Sequence, residues 1–515
     1  MIKWFNNINY RKFILPALLF VSPFIYCSNN NNTENQKSSL QRQEKQNSEK
    51  RQPLSLLSSG ENNLSDANTP NNIIIANLEG EPRSLPLYGF NGNISKGPSW
   101  SNSNFRDSVV SLHLKVIRYP GGTISNFWDW RKGSLIDSMQ GFKNKESNQK
   151  ISSPNTLKDL QLLVKQSNCD VIFTLNMLTS TVEDQIEMLE KAKSLGIPIK
   201  WIELGNEYNN KESEGRKKFI NAIEYGRTCV QWIKPIKSKF PNAQIAVVGG
   251  NKAYSPESRK WNAMVMQNAS LTSNNATLKS ISSTALIAHL YPLPINVIDN
   301  SGINFQKLYT EFQSEFIKGG FNTVNTNIWI TEYNILWSAG KKKGIDNSTT
   351  LKNTLKWSQT LATLLMTSEC TSLSNKTQLI LNHNIANIQS FAAINTKENN
   401  KKMPSGIGME LWLRASDNMI DIQKIKFGAD NSQIKDYEIF GWKFSNNTSS
   451  SLLIVNLTGT PITVDLKKLL NNQKDCTIRF ADKNDIVMGG INIQTKNIPI
   501  EDKIEFPPYS VATIK

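Results

Sequence analysis

Asp170-Val171-Ile172-Phe173-Thr174-Leu175-Asn176, the helical run Val182–Leu195, and then Lys200-Trp201-Ile202-Glu203-Leu204 form the stretch from which the fold is read. Two short, mostly apolar segments bracket a helix. Strands without polar alternation belong to a parallel sheet covered on both faces. The same alternation runs outward in both directions. Further strands are expected at Leu85–Phe90, Leu114–Tyr119, Ala243–Val248, Ala285–Leu290, Asn327–Thr331 and Gln378–Asn382. Further helices are expected at Leu157–Gln166, Glu214–Phe240, Phe305–Lys318, Leu351–Ser368 and Gly406–Ser416. Eight strand–helix repeats predict an α/β fold, a (β/α)8 TIM barrel. A doubly wound sheet is the alternative, but no GxGxxG or P-loop follows any strand.

After Asn418 the long helices stop. Ile420–Phe427, Tyr437–Phe444, Ser451–Leu457, Thr463–Leu466, Thr477–Phe480 and Val511–Ile514 read as strands of a C-terminal antiparallel β-sandwich. The barrel domain is placed at 72–419 and the sandwich at 420–515. Ile73-Ile74-Ile75 is an apolar run that can add an N-terminal strand to the sandwich.

Lys3, Arg11 and Lys12 precede the apolar stretch Phe13–Ile25, which is shorter than the ~20 residues of a bilayer span. This is the layout of an export signal. Cys27 follows, then Ser28-Asn29-Asn30-Asn31-Asn32. The arrangement resembles a bacterial lipoprotein signal, residues 1–27, in which Cys27 becomes the lipidated first residue; Tyr26 stands where such sites carry a small side chain. Ordinary signal cleavage beside an incidental cysteine is the other reading. Residues 28–71 are rich in Ser, Asn, Gln, Lys and Glu and are expected to form a disordered tether. The protein is therefore expected in the cell envelope, held to the membrane by an N-terminal lipid.

The 515 residues are 38% hydrophobic and 20% charged, too apolar for a disordered chain. A mean hydropathy of −0.40 excludes a polytopic membrane protein. The net charge is +16, yet Lys341-Lys342-Lys343 is the one dense basic run and no nucleic-acid motif is present, so no nucleic-acid partner is expected. Three histidines and the lack of a CxxC pair argue against a structural zinc, and no metal or organic cofactor is expected. Cys169, Cys229, Cys370 and Cys476 permit a disulfide in an exported protein without revealing a pairing. The oligomeric state is left open.

Chemistry in a barrel sits where strands end. Two strand ends carry carboxylates: Trp201-Ile202-Glu203-Leu204-Gly205-Asn206-Glu207-Tyr208-Asn209 on the fourth strand and Trp329-Ile330-Thr331-Glu332-Tyr333-Asn334 on the seventh. A carboxyl pair facing one crevice is the apparatus of glycoside cleavage. Glu203-Leu204-Gly205-Asn206-Glu207 resembles the acid/base motif of glycoside hydrolase clan A, and Thr331-Glu332-Tyr333-Asn334 resembles its nucleophile motif. Arg118-Tyr119-Pro120-Gly121-Gly122-Thr123 and Pro507-Pro508-Tyr509-Ser510-Val511 resemble motifs of the family 51 arabinofuranosidases and of the family 79 glucuronidase group.

The resemblance implies a retaining mechanism acting on an oligo- or polysaccharide, with Glu207 as acid/base and Glu332 as nucleophile. Asn206 would donate to the sugar 2-hydroxyl and Tyr291 to the nucleophile. Arg118 either keeps Glu332 ionised or pairs with Glu203. His289 either orients the carboxylates or is a core histidine. Asn176 and His383 are sugar-contact candidates at strand ends. Trp128, Trp130 and Trp337 are either stacking platforms for sugar rings or loop packing. Gly121 and Gly122 read as a tight turn at the rim with no helix directly after it. Arabinofuranose, glucuronic acid, xylose and galactose all stay open as substrates. The competing reading is a catalytically silent, glycan-binding surface lipoprotein.

Overall fold

The computed structural model describes residues 73–94, 97–137, 141–144, 153–210, 213–250, 258–269, 284–299, 302–335, 356–386, 392–429, 432–470, 473–481, 483 and 493–515. Cys27, the tether and Trp337 lie outside them. Among the described residues no helix is long and apolar enough to cross a membrane.

Eight parallel strands close into a barrel. In chain order they are Leu87–Asn91, Val116–Tyr119, Asp170–Thr174, Trp201–Leu204, Gln244–Val248, Ala285–Leu290, Ile328–Tyr333 and Thr377–His383. The eighth pairs with the first, Leu379 to Leu87 through His383 to Asn91. All six residues of the seventh strand are buried, which is why it reads as an unbroken apolar run into Glu332.

Helix starts follow cap chemistry. Thr156 and Asp159 form a reciprocal capping box ahead of Leu157–Ser167, and Thr181 caps Val182–Ser194. The expected helix Glu214–Phe240 is in fact two. A short turn, Gly215–Lys218, ends at Phe219, and Asn221 then caps Ala222–Lys239 by accepting from the Glu224 N–H. The Asn cap outweighs the continuous helical spacing. Helices Ser103–Val110 and Ser258–Ala269, after the first and fifth strands, were not anticipated.

The sandwich is one ten-stranded sheet wrapped around its own core. Its first long strand is Ile74–Ser84, paired antiparallel with Asp421–Ala429. The Ile73–Ile75 run does add a strand to the sandwich, so residues 74–84 belong there rather than to the barrel domain begun at residue 72. Strands Gln494–Ile498 and Lys503–Phe506 were missed because they lie toward the ends of the sheet, where the first of them is largely exposed and carries few apolar residues. In Ser450–Asn456, Leu452 and Ile454 enter the sandwich core while Leu453 and Val455 join the barrel core. A strand buried on both faces needs no polar alternation.

Helix Trp357–Ser372, buried almost all round, is tied to the sandwich: Trp442 Nε1 donates to Ser368 Oγ at 2.9 Å and Trp357 Nε1 to the Tyr509 carbonyl at 2.7 Å. Its threonine hydroxyls at 363, 367 and 371 donate to carbonyls one turn back. Cys169, Cys229, Cys370 and Cys476 are all buried free thiols.

Glu369, on this helix, is 1% exposed and accepts one hydrogen bond, from Gln313 at 3.0 Å. Burial, aided by the charge of Asp436, pushes its carboxyl up to about 8. The folded state thus binds a proton that the unfolded chain releases near pH 4.5, and this contribution to stability falls as pH rises from 4.5 to 8. Glu369→Gln, which keeps the Gln313 contact, is expected to raise Tm by about 3 °C or more at pH 8 and by little at pH 5, in scanning calorimetry. An equal shift at both pH values would show that Glu369 is not protonated in the fold.

Candidate active site

The site forms at the C-terminal ends of the barrel strands, and strand register sets its level. Asn91 lies opposite Arg118 on one side and His383 on the other, while Glu332 lies opposite His289. Inward-facing side chains at one level of a closed barrel must meet.

Arg118 is fully buried and its guanidinium makes three contacts. Nε donates to Glu203 Oε2 at 2.6 Å, Nη1 to Glu332 Oε1 at 2.7 Å and Nη2 to Asn206 Oδ1 at 2.9 Å. Arg118 therefore reaches Glu203 and Glu332 at once. One planar fork fixes three residues, an arrangement a lysine ammonium cannot reproduce. Thr174 donates to the same Glu203 oxygen at 3.0 Å.

Glu332 accepts from Arg118 and Asn91 (2.7 Å) at Oε1 and from the Tyr291 hydroxyl (2.6 Å) at Oε2. His289 and His383 each place Nδ1 at 3.6 Å from Oε2. Burial would raise the Glu332 carboxyl, but the histidine and Arg118 charges and the Tyr291 hydrogen bond hold it at about 2. Burial keeps the His383 imidazole below its ordinary value, so Arg118 is the permanent cation at neutral pH. Glu332 is thus an ionised carboxylate in a closed, low-dielectric setting.

Glu207 sits three residues past the fourth strand. The chain turns at Gly205 (φ +87°), where a Cβ would lie 2.1 Å from the Tyr208 ring, and Glu207 itself takes φ +51°. A non-glycine residue held there costs of order 1–3 kcal/mol and needs firm surroundings. Tyr208 supplies them, packed against Phe219 and Tyr225, and the Tyr225 hydroxyl donates to the Leu204 carbonyl at 2.6 Å. Glu207 Oε1 lies 2.9 Å from His289 Nδ1, whose other nitrogen faces Thr331 Oγ1 at 3.3 Å. Burial would lower His289, but the charges of Glu332 and Glu207 and the Glu207 hydrogen bond raise it. The raised imidazole is thus favoured as a hydrogen-bonding partner of Glu207.

Ligand atoms of Glu207, His289 and Glu332 lie within 4.8 Å of one another. Three such donors can in principle hold a metal ion. Here, however, both oxygens of Glu332 already accept from protein donors and a guanidinium stands alongside, which opposes a second cation. The same spacing suits a carboxyl pair acting from opposite faces of one carbon, near the ~5–5.5 Å of retaining glycosidases and well below the ~6.5–9.5 Å of inverting ones.

Beside the pair a cleft of about 200 Å³ is lined by Asn206, Glu207, Thr123, Asn126, Phe127 and Asn210, among others. Asn206 Nδ2 is buried there without a hydrogen-bond acceptor among the described residues, a donor available to a ligand.

The site thus gathers Asn206, Glu207, Arg118, Tyr291, His289, Glu332 and His383. It does not gather Asn176 or Trp128. Asn176 organises the loop after the third strand, accepting from the Leu178 and Thr179 N–H groups and donating to Thr179 Oγ1. Trp128 is 4% exposed and donates to the Tyr119 hydroxyl, and Trp130 is buried beneath Arg131, so neither is an open platform. Gly121 and Gly122 do form a turn with positive φ, but a 3-10 helix, Thr123–Phe127, begins directly after it. Asn91 was missed. The expected first strand ended one residue short of it; in the structure its Oδ1 lies 2.0 Å from where a Cβ on Gly121 would be.

No family model matches the chain. A family 51 α-L-arabinofuranosidase from Thermotoga petrophila superposes with a TM-score of 0.60 at 16% identity, covering 86% of this chain and 99% of the other. A family 51 α-L-arabinofuranosidase from Bifidobacterium longum gives 0.63 at 12% identity over the same shares. The fold is that of the family 51 glycoside hydrolases. A 4-O-α-L-rhamnosyl-β-D-glucuronidase from Fusarium oxysporum shares it, with a TM-score of 0.54 at 13% identity over 86% of this chain and 100% of the other. In sequence, the chain is 26% identical over 208 residues to an intracellular exo-α-(1→5)-L-arabinofuranosidase of Acetivibrio thermocellus. That match covers 35% of this chain and 40% of the relative's length. Within the family 51 fold, the clustered residues occupy the strand ends where barrel enzymes carry their chemistry.

Proposed function

We propose that the protein is a retaining glycoside hydrolase that cleaves O-glycosidic bonds of an envelope or extracellular polysaccharide, with α-L-arabinofuranosides as the first substrate class. The observation that carries this reading is the carboxyl pair, one fixed as an anion by Arg118, Asn91 and Tyr291, the other in hydrogen-bond contact with His289, with their ligand atoms within 4.8 Å. The likeness to arabinofuranosidases in fold and in partial sequence supports the sugar, and the glucuronidase neighbour makes uronides the second class to test.

In this mechanism Glu207 gives its proton to the glycosidic oxygen as the bond to the anomeric carbon breaks. Glu332 attacks that carbon from the other face and forms a glycosyl ester. Glu207, now the base, takes a proton from water, which attacks the same carbon and releases Glu332. Asn206 Nδ2 donates to the sugar hydroxyl next to the reacting carbon. A panel of aryl glycosides tests the reading: turnover of an arabinofuranoside or a uronide supports it. Glycan binding without turnover, with Glu207 and Glu332 dispensable, would replace it with the adhesive reading.

Arg118→Met keeps much of the side chain's apolar stem and removes the charge. Glu332 then loses the permanent cation favouring its ionised form, so its pKa rises and the acidic limb of kcat/KM moves to higher pH. Glu203 is left buried with only the Thr174 hydroxyl beside it, so stability falls by about 3–5 kcal/mol and Tm falls with it. Arg118→Lys should restore part of the limb. A lowered Tm with an unmoved limb would make Arg118 structural only.

The N-terminal sequence supports export and anchoring through Cys27, with residues 28–71 as the tether. A clickable fatty acid supplied to cells should label the wild-type chain and leave Cys27→Ala unlabelled. Equal labelling of both, or of neither, rules the anchor out.

A further inference from the structure

We propose a second carbohydrate-binding site, for a carboxylate-bearing glycan chain, in the groove between the last barrel helix and the edge of the sandwich. The proposal rests on the reading that this protein works on glycans. The groove, of about 470 Å³, lies between helix Pro404–Ala415 and the strands Cys476–Phe480 and Gln494–Ile498. It is lined by Lys401, Lys402, Arg414 and Arg479 against the single carboxylate of Glu410.

The ion pairs within it are unequal. Lys402 Nζ and Arg414 Nε each reach one oxygen of Glu410 at 2.7 Å. Lys401 and Arg479 have no carboxylate within ion-pairing distance among the described residues. Strand alternation explains the place of Arg479. Cys476 and Ile478 enter the sandwich core, so Arg479 faces the other way, beside Thr495 in the ladder and toward the barrel helix. Burial depresses its guanidinium; the charge of Glu410 opposes this and that of Arg414 adds to it.

Four cations face one carboxylate across the groove, so its charge favours an anion, and the planar fork of Arg479 matches a carboxylate. Ile407, Leu411 and Ile493 form an apolar wall beside the cations, suited to the C–H faces of a sugar ring. None of its residues belongs to the Glu207–Glu332 cluster.

The test uses the full chain and isothermal titration with hexagalacturonate, maltohexaose as the neutral control, and inorganic phosphate. Hexagalacturonate should bind, more weakly as salt rises, and maltohexaose should not. Arg479→Gln should weaken binding at least tenfold and Lys401→Gln severalfold, with aryl-glycoside turnover and Tm unchanged. Lys401 is exposed, so its variant reports even if Arg479→Gln fails to fold. Unchanged affinity in folded variants overturns the site, and so does phosphate binding as tight as hexagalacturonate, which would mark a general anion site. Loss of the glycosidase reading is read separately, from turnover.

Discussion

Glu332→Ala is expected to lose turnover by about 10⁴-fold or more on every glycoside the wild type cleaves. Neither of the other carboxylates described in the site can replace it. Glu203 is held away by Arg118 and Thr174, and Glu207 stands on the acid side beside His289. The substitution also leaves the Asn91, Arg118 and Tyr291 donors without their acceptor, so a compensating anion is expected to bind. Formate or azide should therefore restore part of the activity, attacking the anomeric carbon from the vacated face and giving a product of inverted configuration. The measurement is turnover of an activated aryl glycoside with and without added formate. Residual activity near the wild-type level would remove Glu332 from the nucleophile's role.

Glu207→Ala is expected to behave differently, because this residue acts twice. For a poor leaving group the proton is needed, and kcat/KM should fall by about 10²–10⁴-fold. For dinitrophenolate, which leaves without protonation, kcat/KM should stay close to wild type. The second step then lacks its base, so glycosyl-enzyme accumulates and kcat and KM fall together, with a burst of phenolate. Azide should raise kcat by attacking the intermediate, giving a glycosyl azide of retained configuration. Equal losses on good and poor leaving groups would deny Glu207 the acid's part.

The fold was legible because parallel strands buried on both faces are short apolar runs, and all eight were found within a few residues of their ends. Where polar chemistry competed with periodicity, the reading slipped. Asn221 starts a new helix inside an apparently continuous one, and Ser103–Val110 is only eight residues long. The edge strand Gln494–Ile498 has too few apolar residues to stand out. The carboxylates were legible because Glu332 lies near the end of an apolar strand and Glu207 closely follows another. Asn91 was not, because an asparagine beside glycine reads as a turn; only the register with Arg118 and His383 gives it a place. Trp128 and Asn176 were misplaced for a related reason. A loop's sequence does not tell whether its side chains face solvent or fold back, and here Trp128 meets Tyr119 while Asn176 bonds its own loop.

The central claim is that Glu332 forms a covalent bond to the sugar. It is tested most directly by incubating the protein with a 2-deoxy-2-fluoro aryl glycoside of the sugar it turns over and sequencing the modified peptide by mass spectrometry. The expected result is one adduct per chain, on Glu332 in the peptide containing Trp329-Ile330-Thr331-Glu332-Tyr333-Asn334. An adduct on Glu207, or no adduct together with a product of inverted configuration, would contradict it.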